Sequence, residues 1–241
     1  MDWSTYGEKD FPAAVREIRR RNGNKKVAYV GHSQGTTQMY AGMGLIPEWY
    51  DANVSVAALM GPCTCPNEIW FKPLYTKEVW DCIQSQGVYV LDGEGWDTSN
   101  PNGVYHTLSN ACSHTSEWWD AGMGALGGLP NNPVQAVAAY AQTAISKRFG
   151  RYDPDWFEKE NPKSTLIDFG LVKEMKVAMF VGLWDGTCPL TMAKEQYDQM
   201  GPDTVSDWIV TPTQGHVPWG FTNSEWFVNT MARVLMTNAD Q

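Results

Sequence analysis

The chain has 241 residues, 43% of them hydrophobic and 19% charged, which excludes a disordered polypeptide and leaves room for one domain, or one domain carrying an insertion, with a sizeable core. Its formal net charge is −9. Affinity for phosphates needs clustered Lys and Arg, and the one basic cluster, Arg16, Arg19, Arg20, Arg21, Lys25 and Lys26, reads as a solvated helix end, so no nucleic-acid partner is expected.

No apolar run is long enough to span a bilayer, and the polar, acidic stretch 1–10 contains no signal-peptide core. Residues 10–22 predict a helix, with Asp10 as its cap, Pro12 in the first turn and Ala14, Val15 and Ile18 as the apolar stripe; Asn22, Gly23 and Asn24 end it. Val27–Val30 is a short apolar strand of the kind found inside a parallel sheet, and residues 36–43 follow as a helix. Val54–Met60 is a second such strand, ending at Gly61 and Pro62.

From about Cys63 to Phe169 the pattern changes to a stretch rich in Trp, Gly, Asn, Ser and Pro. Only residues 88–91 there suggest a strand, and only 133–147 an amphipathic helix, with Val134, Val137, Ala138, Tyr140, Ala141 and Ile145 on one face. The sheet then resumes with a strand over 176–183, a helix over 190–200, a strand over 207–211 and a closing helix over 225–236. This alternation predicts an α/β architecture with a mostly parallel sheet. The expected division is a core over 1–62, an inserted cap over 63–169 and the resumed core over 170–241.

Between the first strand and its helix lies Gly31-His32-Ser33-Gln34-Gly35, the G-x-S-x-G form of a nucleophile elbow, in which a serine hydroxyl is presented on a sharp strand-to-helix turn. A serine is a poor nucleophile near neutrality and needs a histidine base oriented by an acid. In α/β-hydrolases the acid and then the base follow on loops at the carboxyl ends of later strands. Asp185 follows the 176–183 strand in an Asp-Gly turn, and His216 follows the 207–211 strand. His32 is inside the elbow and its ring is expected to point elsewhere, while His106 and His114 lie in the cap. Asp168 precedes its strand rather than following it, and Glu68, Asp92, Glu94 and Asp97 read as surface charge. The candidate nucleophile, acid and base are therefore Ser33, Asp185 and His216, with the Gln34 backbone N–H as an oxyanion donor.

The five cysteines, Cys63, Cys65, Cys82, Cys112 and Cys188, leave one or two disulfides expected among the first four if the chain is exported. Cys63 and Cys65 lack a second ligand pair at zinc-site spacing, so neither metal nor cofactor is expected. Asn53-Val54-Ser55 is a glycosylation sequon that abuts a strand.

The residues Gly31-His32-Ser33-Gln34-Gly35-Thr36-Thr37, preceded by Asp10-Phe11-Pro12-Ala13 and by Lys26 to Val30, resemble the acid lipases, the gastric and lysosomal lipase group of α/β-hydrolases, which cleave triacylglycerols and cholesteryl esters. The likeness continues through Tyr152, Asp153, Asn161 and the loops of Asp185 and His216. It implies the same three roles for Ser33, Asp185 and His216, an acyl-ester or lipid substrate, contact with a lipid interface, and a secreted or lysosome-like location. Members of that family carry a long segment ahead of the helix at Asp10, with early strands and a His-Gly loop that donates the second oxyanion N–H. The expectation is therefore a fragment lacking the front of the fold, a substitute donor in the cap, or completion by a second copy or another chain. The cap aromatics Trp70, Trp80, Trp96, Trp118 and Trp119, with Met123, are the expected acyl-pocket lining or core. The alternative to an esterase is a non-catalytic hydrolase-fold protein that binds lipid or a partner.

Overall fold

The computed structural model describes residues 2–67, 77–87, 90–91, 132–155, 166–216 and 224–238. Its strands, in chain order, are β1 (Val27–His32), β2 (Val54–Met60), β3 (Val90–Leu91), β4 (Asn132–Pro133), β5 (Lys176–Gly182) and β6 (Val205–Thr211). The chain forms two compact units, one made of Trp3–Pro66 with Leu166–Gln241 and the other of Met1–Asp2 with Asn67–Thr165.

The first unit is built on a four-stranded sheet in the order β1-β2-β5-β6, every pairing parallel. Its two middle strands are the most apolar, and the reason is geometric: a strand with parallel neighbours on both sides is covered on both faces. All seven residues of β2 are buried, as are the last six of β5. One face packs the closing helix Glu225–Thr237, whose Val234, with Phe227, Met231 and Leu235, meets Val56, Ala58, Met60, Ala178 and Phe180. Ser224 caps that helix by accepting from the Phe227 N–H. Against β1, Phe11 sets its ring edge-on to Tyr29 at 5.0 Å and stacks on Tyr50 at 5.7 Å.

The N-terminal helix differs from expectation. Asp10 makes no cap bond and is itself helical, because the helix has already begun: Trp3–Thr5, a π-helical turn at Tyr6–Asp10 and Phe11–Arg21 run on without a break. The early start is held by burial of Trp3 and by the Tyr50 hydroxyl donating to the Gly7 carbonyl at 2.8 Å. The buried stripe is Pro12 and Val15, whereas Ala14 and Ile18 face solvent. The basic cluster is partly engaged: Arg20 and Arg21 pair with Glu17, and Arg19 donates to the carbonyls of Asn24 and Ala52 and to Asn53 Oδ1. Asn53 also donates to the Trp49 carbonyl, and Ser55 is buried in β2, so the sequon is built into the fold.

Asp51 anchors the entry to β5. Its carboxylate accepts the backbone N–H groups of Lys173, Glu174 and Met175 at 2.9 to 3.1 Å. Hydrogen bonds to a charged acceptor contribute about 1.5–3 kcal/mol. Asp51→Ala is expected to lower unfolding free energy by about that amount, with Asp51→Asn recovering part of it; equal urea midpoints for wild type and Asp51→Ala would refute the anchoring role.

In the second unit, a helix spans Lys77–Ser85, β3 pairs antiparallel with β4, and a helix spans Val134–Ser146. On that last helix Val137, Ala138 and Ala141 are buried as expected, but Ile145 is exposed and Gln142 buried. Gln142 tolerates burial because its amide donates to the Arg151 carbonyl and accepts from the Asp153 N–H.

Candidate active site

β1 continues past Val30 to His32 and runs directly into Ser33, which precedes the helix Gln34–Leu45. Ser33 has φ 54° and ψ −115°, a backbone state that costs a non-glycine residue ~1–3 kcal/mol and persists only where its surroundings over-determine it. Here the Ser33 N–H donates to the Met60 carbonyl at 3.1 Å, and its own carbonyl accepts the Thr36 N–H and hydroxyl. The glycine at position 31 is demanded mainly by Tyr29: a Cβ there would lie 2.5 Å from the Tyr29 ring and 3.1 Å from the Gly35 carbonyl carbon. The Tyr29 hydroxyl donates to the Gly35 carbonyl at 2.9 Å, and burial pushes that phenol up to about 12.

The ends of β5 and β6 bring two more groups to the elbow. Asp185 is 4% exposed; its Oδ1 accepts the N–H groups of Thr187 and Cys188 at 3.0 and 2.7 Å, which leaves Oδ2 to face His216 Nδ1 at 2.7 Å. His216 Nε2 lies 2.7 Å from Ser33 Oγ. The three side chains thus form one hydrogen-bonded chain, carboxylate to imidazole to hydroxyl, on three loops at the carboxyl ends of β1, β5 and β6. Gln34, next after the serine, opens the elbow helix, where backbone N–H groups have no intrahelical partner.

A parallel sheet, a serine at positive φ between strand and helix, and acid and histidine loops after later strands define the architecture. The chain has the α/β-hydrolase fold.

No protein-family model matches the chain. Among curated proteins it is similar to lipase member K of Mus musculus, 40% identical over 48 residues, which are 20% of this chain and 12% of that protein. Among solved structures it is similar to an α/β-fold hydrolase from Bacillus anthracis, at 14% identity and TM-score 0.43 over 97% of this chain and 73% of that one. A thermophilic esterase from Thermogutta terrifontis shares 12% identity at TM-score 0.41 over 93% and 70%. An esterase from Pyrococcus furiosus shares 13% at TM-score 0.48 over 98% and 65%.

Two contributors to the site were not foreseen. Gly61, just after β2, has φ +55°, and a Cβ there would come within 3.1 Å of His216 Nδ1 and 3.4 Å of Asp185 Oδ2. Glycine at 61 is therefore needed both for backbone conformation and for the close approach of the imidazole–carboxylate pair. The Gly61-Pro62 pair at a strand end carried the signal for a turn, but not for what would pack on it.

The second is His32, whose ring does not point elsewhere. Its Nε2 donates to the His216 backbone carbonyl at 2.6 Å, and the two rings stand 5.2 Å apart. Burial lowers the His32 pKa, so the folded chain binds that proton less readily than the unfolded chain. The stabilising contribution is complete above the ordinary histidine value, about 6.5, and is lost as pH falls below it toward the lowered value. Wild type is expected to lose thermal stability more steeply than His32→Gln on acidification from about pH 7 to 5; parallel melting profiles would contradict this.

The competing acid is accounted for: Asp168 Oδ1 accepts from the Gly170 N–H and from Gln199 Nε2. Ligand atoms of Asp185, Cys188 and His216 lie within 4.8 Å of one another, but the Cys188 sulfur is committed to a disulfide and offers no thiolate. Cys188 lies outside the four cysteines among which one or two disulfides are expected, yet it is the partner of Cys63. Cys82 is disulfide-bonded as well. His106, His114, Cys112, Asn161, Glu68, Asp92, Glu94, Asp97 and the side chains of Trp70, Trp80, Trp96, Trp118, Trp119 and Met123 lie outside the described residues.

Proposed function

We propose that the chain is a serine-dependent carboxylic-ester hydrolase of lipase or esterase type, acting on lipid or other acyl esters through an acyl-enzyme. The observation that carries this reading is the unbroken chain from Asp185 Oδ2 through His216 to Ser33 Oγ, with the serine held at positive φ. His216 Nε2 accepts the Ser33 proton as Oγ attacks the ester carbonyl, and the Gln34 N–H donates to the oxyanion that forms. The tetrahedral species collapses by expelling the alcohol, which leaves with the proton carried on Nε2. A water then adds to the acyl-serine, again giving its proton to His216, and the carboxylic acid departs as Ser33 recovers its hydrogen. Asp185 accepts the Nδ1–H throughout and stabilises the imidazolium.

The local likeness to a lipase and the motif resemblance both favour an ester substrate. The disulfides favour an oxidising compartment, consistent with a secreted or lysosome-like setting. In this reading the segment inserted between β2 and β5 acts as a cap that selects the acyl chain.

The test is hydrolysis of p-nitrophenyl esters of graded chain length, with covalent capture by a fluorophosphonate located by peptide mapping. Turnover together with labelling at Ser33 supports the proposal. Absence of both would favour instead a hydrolase-fold protein that binds lipid or a partner without catalysis.

A further inference from the structure

The nucleophile loop and the acid loop are joined twice. One join is the hydrogen-bonded chain through His216 already described. The other runs beneath it. The Ser33 carbonyl accepts the Thr36 hydroxyl at 2.6 Å, and the same hydroxyl oxygen accepts the Cys63 N–H at 2.8 Å. The Thr37 hydroxyl donates to the Cys63 carbonyl at 2.8 Å. Cys63 is thereby held on both its backbone groups by the first turn of the elbow helix, and both threonines are fully buried. From Cys63 the disulfide crosses to Cys188, Cα to Cα 5.4 Å, and the Cys188 N–H donates to Asp185 Oδ1 at 2.7 Å.

These links close a ring: Ser33, Thr36, Cys63, Cys188, Asp185, His216 and back to Ser33. We propose that the Cys63–Cys188 disulfide is a positioning element for the serine–histidine–aspartate chain, so that breaking it slows turnover by letting the acid loop drift relative to the elbow. The inference rests on the hydrolase reading above and extends it to control by redox state. The physical basis is that Asp185 is aimed by N–H groups on its own loop, and among the described residues the covalent tie from that loop to the elbow side is Cys188 to Cys63. An error of ~1 Å in a reacting group can cost about 10² in rate.

The redox step is a two-electron reduction of the disulfide, with the phosphine oxidised. A water-soluble phosphine attacks one sulfur, the S–S bond breaks, water supplies the oxygen of the phosphine oxide, and two thiols result, each holding one proton. Because Cys188 is fully buried and Cys63 nearly so, reduction requires partial opening or mild denaturant. A Cys63→Ala/Cys188→Ala double variant gives the same broken link without reagent.

The experiment compares oxidised wild type, phosphine-reduced wild type, the reoxidised sample, the double variant and Thr36→Val, which cuts the ring while keeping the disulfide. Ester hydrolysis gives kcat and KM separately, and one-dimensional proton NMR follows the strongly downfield Nδ1–H of the His216–Asp185 bond. The expected result is a kcat ~10- to 100-fold lower with KM retained in the reduced and double-variant proteins. Recovery on reoxidation, a smaller kcat loss in Thr36→Val, and weakening of the downfield proton signal complete the pattern. An unchanged kcat and an intact downfield signal in chains that only melt earlier would reduce the bridge to a stabilising cross-link and overturn the proposal. If the double variant does not fold, Thr36→Val decides the matter by the same criteria, because phosphine also reduces the disulfide of Cys82. If oxidised wild type neither hydrolyses esters nor takes up a fluorophosphonate, the hydrolase reading fails by itself, and the NMR signal still reports whether the bridge holds the pair.

Discussion

Ser33→Ala is expected to abolish ester hydrolysis, lowering kcat by ~10⁴-fold or more, while the fold and the melting temperature remain close to wild type. Alanine meets the same positive φ penalty as serine, so the elbow keeps its shape, and the Thr36 and Met60 bonds use only Ser33 backbone atoms. What disappears is the Oγ that faces His216 Nε2 at 2.7 Å. Hydrolysis at the wild-type rate in purified Ser33→Ala would remove the covalent mechanism outright. Loss of fluorophosphonate labelling in the same protein confirms that the reagent was reporting on this residue.

Asp185→Asn is expected to be nearly as severe, with kcat down by ~10³–10⁴-fold and KM little changed. The geometry says why. Asp185 Oδ1 already accepts two backbone N–H groups, from Thr187 and Cys188. Asparagine keeps those bonds by placing its carbonyl oxygen there, which turns its NH₂ toward His216 Nδ1. The imidazole must then accept at Nδ1 and carry its proton on Nε2, where it meets the serine as a donor rather than a base. Rotating the amide to restore the histidine bond would instead set the NH₂ against two buried N–H donors, at a stability cost. Retained kcat in Asp185→Asn, measured as a full pH–rate profile, would mean that the carboxylate does not orient the histidine.

The core strands are legible because a strand with parallel neighbours on both sides is covered on both faces and so reads as a nearly unbroken apolar run, and in β2 only Ser55 departs from it. The helix over 190–200 was equally plain, running from just after Pro189 to Gly201. The order of Ser33, Asp185 and His216 along the chain, each just past an apolar strand, was enough to predict that they would meet, because parallel strands put all their carboxyl ends on one edge. What sequence concealed were interactions whose partners are distant. Nothing near Cys63 marks Cys188 as its partner, since the two come together only when β2 and β5 pair. The His32 contact is hidden for the same cause: an elbow directs one side chain into the site, but the neighbour's bond to the His216 carbonyl depends on a loop 184 residues away. Asp10 ahead of Phe-Pro has the local signature of a helix cap, and the buried contacts of Trp3 and Gly7 override it by extending the helix backward.

The disulfide has a further consequence for the chain as a covalent object. Cys63 and Cys188 are 125 positions apart, and almost all of the second compact unit, residues 67–165, lies within the loop they close. A protease cut anywhere in that loop divides the backbone yet leaves the serine-bearing and acid-bearing pieces tethered to each other. A nicked molecule therefore differs in mass from the intact one only by the water that the cut adds until it is reduced, and its two fragments cannot diffuse apart. The inserted segment can be cut without parting the strands on either side of it.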